Sequence, residues 1–266
     1  MTHPYSLAHL TCLSLSPPEV VSLAARTGYD FAGLRLLPAS PGGEAYRLMD
    51  EPELLRETLA RIRDTGIRIF DLEIIRVGEA FNTDDYKDFF EAGQKFGARA
   101  ILVAGDDPDE GRLTASFARL CETARPYGLT CDLEFMPWTK VPDAKCALRI
   151  VHAADQPNGG VLVDAIHFGR STTTLADIAS IPRHMLHYAQ ICDAPGPTPT
   201  TVEGLIHTAR IERLLPGEGV VDIAGLFGQL PADLPISVEI PTESRAHLGP
   251  DEWARRCLAA AKAVLG

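Results

Sequence analysis

The chain has 266 residues, 45% hydrophobic and 23% charged, and its 25 Lys and Arg against 36 Asp and Glu give a formal net charge of −11. That length buries a full core and is one that α/β barrels use as one domain; no apolar run approaches the roughly 18 residues of a membrane span, and the acidic balance repels phosphate backbones, which argues against a nucleic-acid partner. The six cysteines (Cys12, Cys121, Cys131, Cys146, Cys192, Cys257) are scattered with no C-x-x-C pair and read as reduced, while the start, MTHPYSLAHL, lacks a basic segment followed by a long apolar one, so the expected location is cytoplasmic.

Apolar, β-branched segments alternate with helical patterns about every 30 residues, the pattern of repeated βα units around a parallel sheet. The first strand is expected over residues 5–12. The helix after it opens at Ser16 as N-cap, with Pro17 and Pro18 in the first turn, and stops at Gly28. FAGLRLL is the second strand, and its helix, EPELLRETLARIRDTG, ends in Gly66. IRIFDLEIIRV is the third strand, with a helix over 84–96; RAILVAGDD is the fourth, with a helix over 111–127. LTCDLEFMPW, GGVLVDAIHF, MLHYAQICDAP and PISVEIP read as strands five to eight, and PDEWARRCLAAAKAVLG as the last helix. Eight units predict an α/β fold, a single (βα)8 TIM barrel over residues 1–266. Pro and Gly concentrate in residues 38–52 and 193–204, each just after a strand, which makes both segments candidate substrate-covering loops.

Ionisable or amide residues interrupt the last four strands near their C-terminal ends: Glu134 in DLEFMPW, Asp164 in LVDAIH, Gln190 in YAQICD and Glu239 in SVEIP. Barrel active sites draw residues from several strand ends. Three clustered carboxylates repel unless a cation sits among them, and an oxygen-rich set suits Mn²⁺ or Mg²⁺, with Co²⁺ and Zn²⁺ as further candidates. His167 follows Asp164 by three residues, and positions i and i+3 of a strict strand point to opposite faces. His167 is therefore expected on a loop or bulge just past strand six.

With Glu on strand five, Asp-x-x-His on strand six, Gln on strand seven and Glu on strand eight, the chain resembles the xylose isomerase-like TIM barrel superfamily. That superfamily includes sugar isomerases, sugar and sugar-phosphate epimerases, inosose dehydratases, 3-dehydroshikimate dehydratases and endonuclease IV. The resemblance implies that Glu134, Asp164, Gln190 and Glu239 hold one divalent cation, that His167 contacts substrate, and that Glu134 and Glu239 act as the acid/base pair. It implies an isomerase or epimerase working through an enediolate on a sugar, sugar phosphate or related small polyhydroxylated substrate, and a homodimer or homotetramer. A dehydratase using the same site is the alternative, and a barrel that only binds a polyol or phosphate is the non-catalytic one. The sequence departs from the epimerases at Gln190, where many of them carry histidine. It departs from some 3-dehydroshikimate dehydratases after Glu134, where Phe135-Met136-Pro137-Trp138 has no histidine two positions on. Endonuclease IV needs a richer histidine set than this acidic chain offers.

Six further residues are candidates for substrate binding. His9 and Glu73 interrupt apolar strands, so each either faces the barrel mouth or is satisfied within the core. Arg35 ends strand two, either to hold an anion or hydroxyls through its planar fork or to bridge neighbouring strands. Trp138 offers a ring face or serves as a buried anchor. Arg170 is a candidate for the anion site. In TARIERLLPGEG, Arg213 is favoured over Arg210 as an anion ligand, with solvated surface arginines as the competing reading. Asp193 is expected to position a partner of the site.

Overall fold

The computed structural model describes residues 3–266. Eight strands close a parallel barrel in sequence order: β1 (Tyr5–Leu7), β2 (Phe31–Arg35), β3 (Arg68–Val77), β4 (Ala100–Gly105), β5 (Thr130–Glu134), β6 (Gly159–Asp164), β7 (Ala189–Ile191) and β8 (Ile236–Val238), with β8 pairing back onto β1. Among the described residues ten α-helices are interleaved: α1 (Pro17–Thr27), α2 (Pro52–Thr65), α3 (Lys87–Phe96), α4 (Glu110–Ala124), α5 (Ala144–Ala154), α6 (Ala165–Arg170), α7 (Leu175–Ala179), α8 (Val202–Arg210), α9 (Ile223–Gly228) and α10 (Gly249–Leu265). The eight βα units expected from periodicity are all present. Helix α1 starts at Ser16, whose backbone N–H donates to Glu19 at 2.8 Å, and stops at Gly28, whose φ of +91° a side chain would resist.

The strands are shorter than the apolar runs predict, and the difference matters at the mouth. Strand one was expected through residue 12, but β1 ends at Leu7 and His9–Cys12 forms a 3-10 turn. The side-chain hydroxyl of Thr11 donates to Val238 O at 2.9 Å and accepts from Ile240 N at 2.9 Å, tying this turn to the end of β8. Strand six likewise ends at Asp164. His167 therefore lies on a helix, not on the expected loop or bulge: Asp164 Oδ1 accepts from Ile166 N at 2.9 Å and caps α6 directly.

Alternation along the strands assigns the interior. Glu134, Asp164, Gln190 and Glu239 sit at or just beyond the C-terminal ends of β5 to β8, all buried, with Asp164 and Gln190 in register. On β3 the register shifts between Leu72 and Ile75, so one extra residue is accommodated and both Glu73 and Arg76 reach the upper part of the barrel. The outer faces of the strands meet the helices through a continuous apolar layer that includes Val20, Leu23, Ile69, Leu72, Phe89, Phe117, Ile150 and Leu258. That layer supplies the hydrophobic stabilisation and frees the inward positions for polar work.

Candidate active site

A small cavity of about 40 Å³ opens at the C-terminal end of the barrel, lined by residues that include Arg35, Ile74, Arg76, Glu134, Trp138, His167, Arg210, Arg213 and Glu239. It adjoins a groove of about 410 Å³ that shares Ile74 and Arg76 and runs under residues 37–41. Of the two segments expected to cover substrate, the first contributes Ala39 to the cavity wall. The second, residues 193–204, does not line it; the C-terminal turn of α8 does, through Ala209 and Arg210.

The structure brings the four strand-end residues and His167 together. The Gln190 side-chain atom nearest the carboxylates lies 2.9 Å from Glu134 Oε1 and 3.3 Å from Asp164 Oδ2. As an amide NH2 it donates to both; as an amide oxygen it completes a set of three mutually facing oxygens that a cation between them reconciles. His167 Nε2 lies 3.7 Å from Glu134 Oε1 and 4.0 Å from Asp164 Oδ2, and one ligand atom from each of these three residues falls within 4.8 Å of the others.

Arg213 is the one cation inside this group. Its guanidinium reaches Asp164 Oδ2 and Glu239 Oε2, both at 2.8 Å, and Nε donates to Ala209 O at 2.6 Å. Burial opposes its charge, but Asp164, Cys192, Glu239 and Glu134 more than offset that and keep it protonated. Glu134 receives no such partner. Burial, then repulsion from Asp164 and Glu239, raises its carboxyl well above the usual range. Burial also raises Glu239, to about 8, with Arg213 pulling the other way. His167 is pushed down to about 4, first by burial, so it is neutral near pH 7. The donor set is thus rich in oxygen and short of positive charge at Glu134, which fits a divalent ion among Glu134, Asp164 and Gln190 with His167 within reach, while Glu239 meets the group through Arg213.

The other candidates are distributed unevenly. Arg35 lines the cavity, but its Nη2 lies 2.6 Å from Glu73 Oε2, so the two bridge β2 and β3. His9 is displaced from the site: Nδ1 accepts from Arg35 N at 2.8 Å and Nε2 donates to Leu15 O at 2.9 Å, which uses both ring nitrogens on main chain. Trp138 lines the cavity and meets the His167 ring edge-on, with centroids 5.1 Å apart. Its Nε1 and His167 Nδ1 are buried without a partner, two unsatisfied polar atoms beside the cavity. Arg170 stands outside the cavity lining. Its guanidinium donates to Pro195 O and, at 2.8 Å, to Thr198 Oγ1, so its donors are used in fastening the segment after β7.

Asp193 organises the chain that follows. Its carboxylate accepts from Ala194 N (2.8 Å), Gly217 N (3.0 Å), Gly219 N (2.9 Å) and Val221 N (3.1 Å). A side chain at Gly219 would meet Ala194 O and Asp193 Oδ1 at 2.3 Å, so only glycine fits there. Asp193→Ala strands those donors and is expected to cost about 2–4 kcal/mol in urea denaturation; a loss under about 0.5 kcal/mol, as for an ordinary surface change, would show that the loop stands without it.

Two features escape the sequence reading. Arg76, on β3, lines both cavity and groove, yet an arginine in a strand pattern carries no signal of its own. Asp71, two residues before Glu73 and therefore on the same strand face, is fully buried with both carboxyl oxygens unpartnered, and burial followed by repulsion from Glu73 and Glu239 raises it well above the usual range. The alternation in FDLEII contains that signal, since Asp71 and Glu73 share a face.

Residues 21–263 match the model of the xylose isomerase-like TIM barrel family. The chain belongs to this family. Among characterised relatives, it is 27% identical over 244 residues to a 3-dehydroshikimate dehydratase of Pseudomonas putida, covering 86% of this chain and 36% of that protein. A 3-dehydroshikimate dehydratase of Pseudomonas aeruginosa is 29% identical over 160 residues, covering 57% of this chain and 25% of that protein. The chain thus spans a quarter to a little over a third of the length of these relatives. The solved IolI protein, with a zinc atom bound, superposes with a TM-score of 0.81 at 17% identity over 98% of each chain, a likeness of fold. No helix among the described residues is long and apolar enough to cross a membrane.

Proposed function

We propose that the protein is a divalent-metal-dependent enzyme that removes a proton next to a carbonyl of a small polyhydroxylated substrate and then expels a hydroxyl, a lyase of the dehydratase type. The observation that carries this reading is the convergence of Glu134 and Asp164 on Gln190, at 2.9 Å and 3.3 Å, with Glu239 joined to the same Asp164 through Arg213. The names of the two Pseudomonas relatives support elimination as the outcome. An ion held there would polarise the carbonyl and stabilise the charge that develops on its oxygen.

The residues themselves supply the rest. Glu239, in its ionised form, takes the carbon-bound proton, and the C–H electron pair moves toward the carbonyl. When that pair returns to form the double bond, the β C–O bond breaks, and the proton on Glu239 passes to the departing hydroxyl, which leaves as water. Trp138 Nε1 and His167 Nδ1, both buried without a partner, orient the hydroxyls. A second reading, isomerase or epimerase, draws on Glu134: a second raised carboxyl could return the proton to the opposite face of the same carbon.

The deciding assay incubates Mn²⁺-loaded protein with 3-dehydroshikimate and with a panel of ketoses in D2O. Water loss from 3-dehydroshikimate, seen as a new conjugated absorbance, is expected; exchange without elimination would favour the isomerase, and neither reaction on any substrate would end the enzymatic reading. Metal-free protein also carries a stability signature. Folded Glu134 and Glu239 hold protons above the pH at which the unfolded chain releases them, so their contribution to stability is greatest below the ordinary carboxylate range and falls as pH rises toward about 8. Urea denaturation at about pH 5 and about pH 8 should show this fall in EDTA, and Mn²⁺ should flatten it by binding the deprotonated carboxylates. Identical slopes with and without the ion would place the metal elsewhere.

A further inference from the structure

Four arginines line the mouth cavity, and three of them are matched by carboxylates: Arg35 by Glu73 at 2.6 Å, Arg76 by Asp106, and Arg213 by Asp164 and Glu239 at 2.8 Å. Arg210, half-buried at the end of α8, has no acidic partner among the described residues. Its Nη1 lies 3.4 Å from Ser40 Oγ and its Nη2 3.3 Å from Ala39 O, both near the long limit of a hydrogen bond. Burial, then repulsion from Arg76 and Arg35, works against its charge and outweighs the pull of Asp106 and Glu134. A guanidinium in such a place is left under-compensated.

The direction of the two neighbouring forks adds to this. Arg76 Nε donates to Ala39 O at 2.6 Å, so Arg76 and Arg210 converge on the same carbonyl oxygen. A neutral acceptor is the weakest group that two guanidinia could share; an anionic oxygen at that point would receive charge-assisted bonds from both. Ala39 belongs to the segment after β2 that covers the cavity, and Arg76 stands between the cavity and the adjoining groove. An anionic group bound there would leave the rest of a small molecule reaching inward to Trp138, His167 and Glu239.

We propose that Arg210, supported by Arg76, is the specificity element that recognises an anionic group on the substrate, a carboxylate or a phosphate, and that Arg213 is not. This rests on the reading of the mouth as the substrate site of a metal-dependent enzyme. It reverses the preference for Arg213 drawn from sequence, because Arg213 is consumed by Asp164 and Glu239.

Calorimetric titration of the intact protein tests this without turnover, using quinate as a carboxylated cyclic polyol, myo-inositol as a neutral one, and inorganic phosphate. Wild type is expected to bind at least one of the two anions, with Arg210→Gln weakening it at least about tenfold, Arg210→Lys intermediate and myo-inositol binding unchanged. Dependence on Arg210 for quinate marks a carboxylate ligand; dependence for phosphate alone marks a phosphorylated one. The site is overturned if Arg210→Gln binds both anions like wild type, or if wild type binds neither. Equal weakening of quinate and myo-inositol would also overturn it, by showing that Arg210 only straps the segment at Ala39. Because the readout is binding, a protein that passes here and fails the D2O assay loses the proposed reaction and keeps the anion site.

Discussion

Glu239→Gln is expected to lower turnover by about 10²–10⁴-fold, the usual share of a general acid–base group, while the circular dichroism spectrum stays that of the native barrel. The reason is local. The glutamine carbonyl can still accept from Arg213, which now lies 2.8 Å from Glu239 Oε2, so the buried guanidinium keeps a partner. What the amide cannot do is take a proton from carbon. Solvent-deuterium exchange into the substrate should disappear together with net conversion, since both need that transfer. Retained exchange with lost conversion would move Glu239 to a later step, and wild-type rates would remove it from the mechanism.

Arg213→Ala is expected to be the most destabilising single change at the site, by about 3–5 kcal/mol, because it leaves buried Asp164 and Glu239 without their shared cation. The pH dependence has a definite sign. With Arg213 present, burial already raises the Glu239 carboxyl to about 8; without it the carboxyl rises further. Between the ordinary carboxylate range and about 8 both folded proteins keep this proton and lose stability in parallel; above about 8 only wild type releases it, so the penalty grows there. Urea denaturation of wild type and variant at about pH 7 and about pH 9 measures this, and Mn²⁺ should restore part of the loss at the higher pH. A penalty independent of pH, or one below about 1 kcal/mol as for an exposed pair, would mean that Arg213 does not carry the charge balance of the site.

Much of the site was legible because strand alternation is a strong constraint. A carboxylate or amide near the C-terminal end of each of four successive strands has one place to go in a closed parallel barrel, and Glu134, Asp164, Gln190 and Glu239 went there. Stop signals were equally readable: Gly28 and Gly66 end α1 and α2 with φ of +91° and +74°. Arginine pairing was not readable. Arg35 lies 38 residues from Glu73, and Arg213 lies 49 from Asp164 and 26 from Glu239, so which arginine is matched and which is spare depends on closure of the barrel. His9 shows the same limit: its apolar surroundings fit a mouth residue, but the turn after β1 delivers both ring nitrogens to main-chain atoms.

The sequence by itself determined the repeating βα order, the placement of the oxygen donors at four strand ends and the pairing of Asp164 with His167 in one segment, because these follow from local periodicity and capping chemistry. Only the tertiary structure decided the charge balance. Whether a buried arginine serves a carboxylate of its own chain or stands ready for an anion from outside is set by distances of about 3 Å between elements far apart in sequence, and electrostatics in a low-dielectric mouth turns those distances into function.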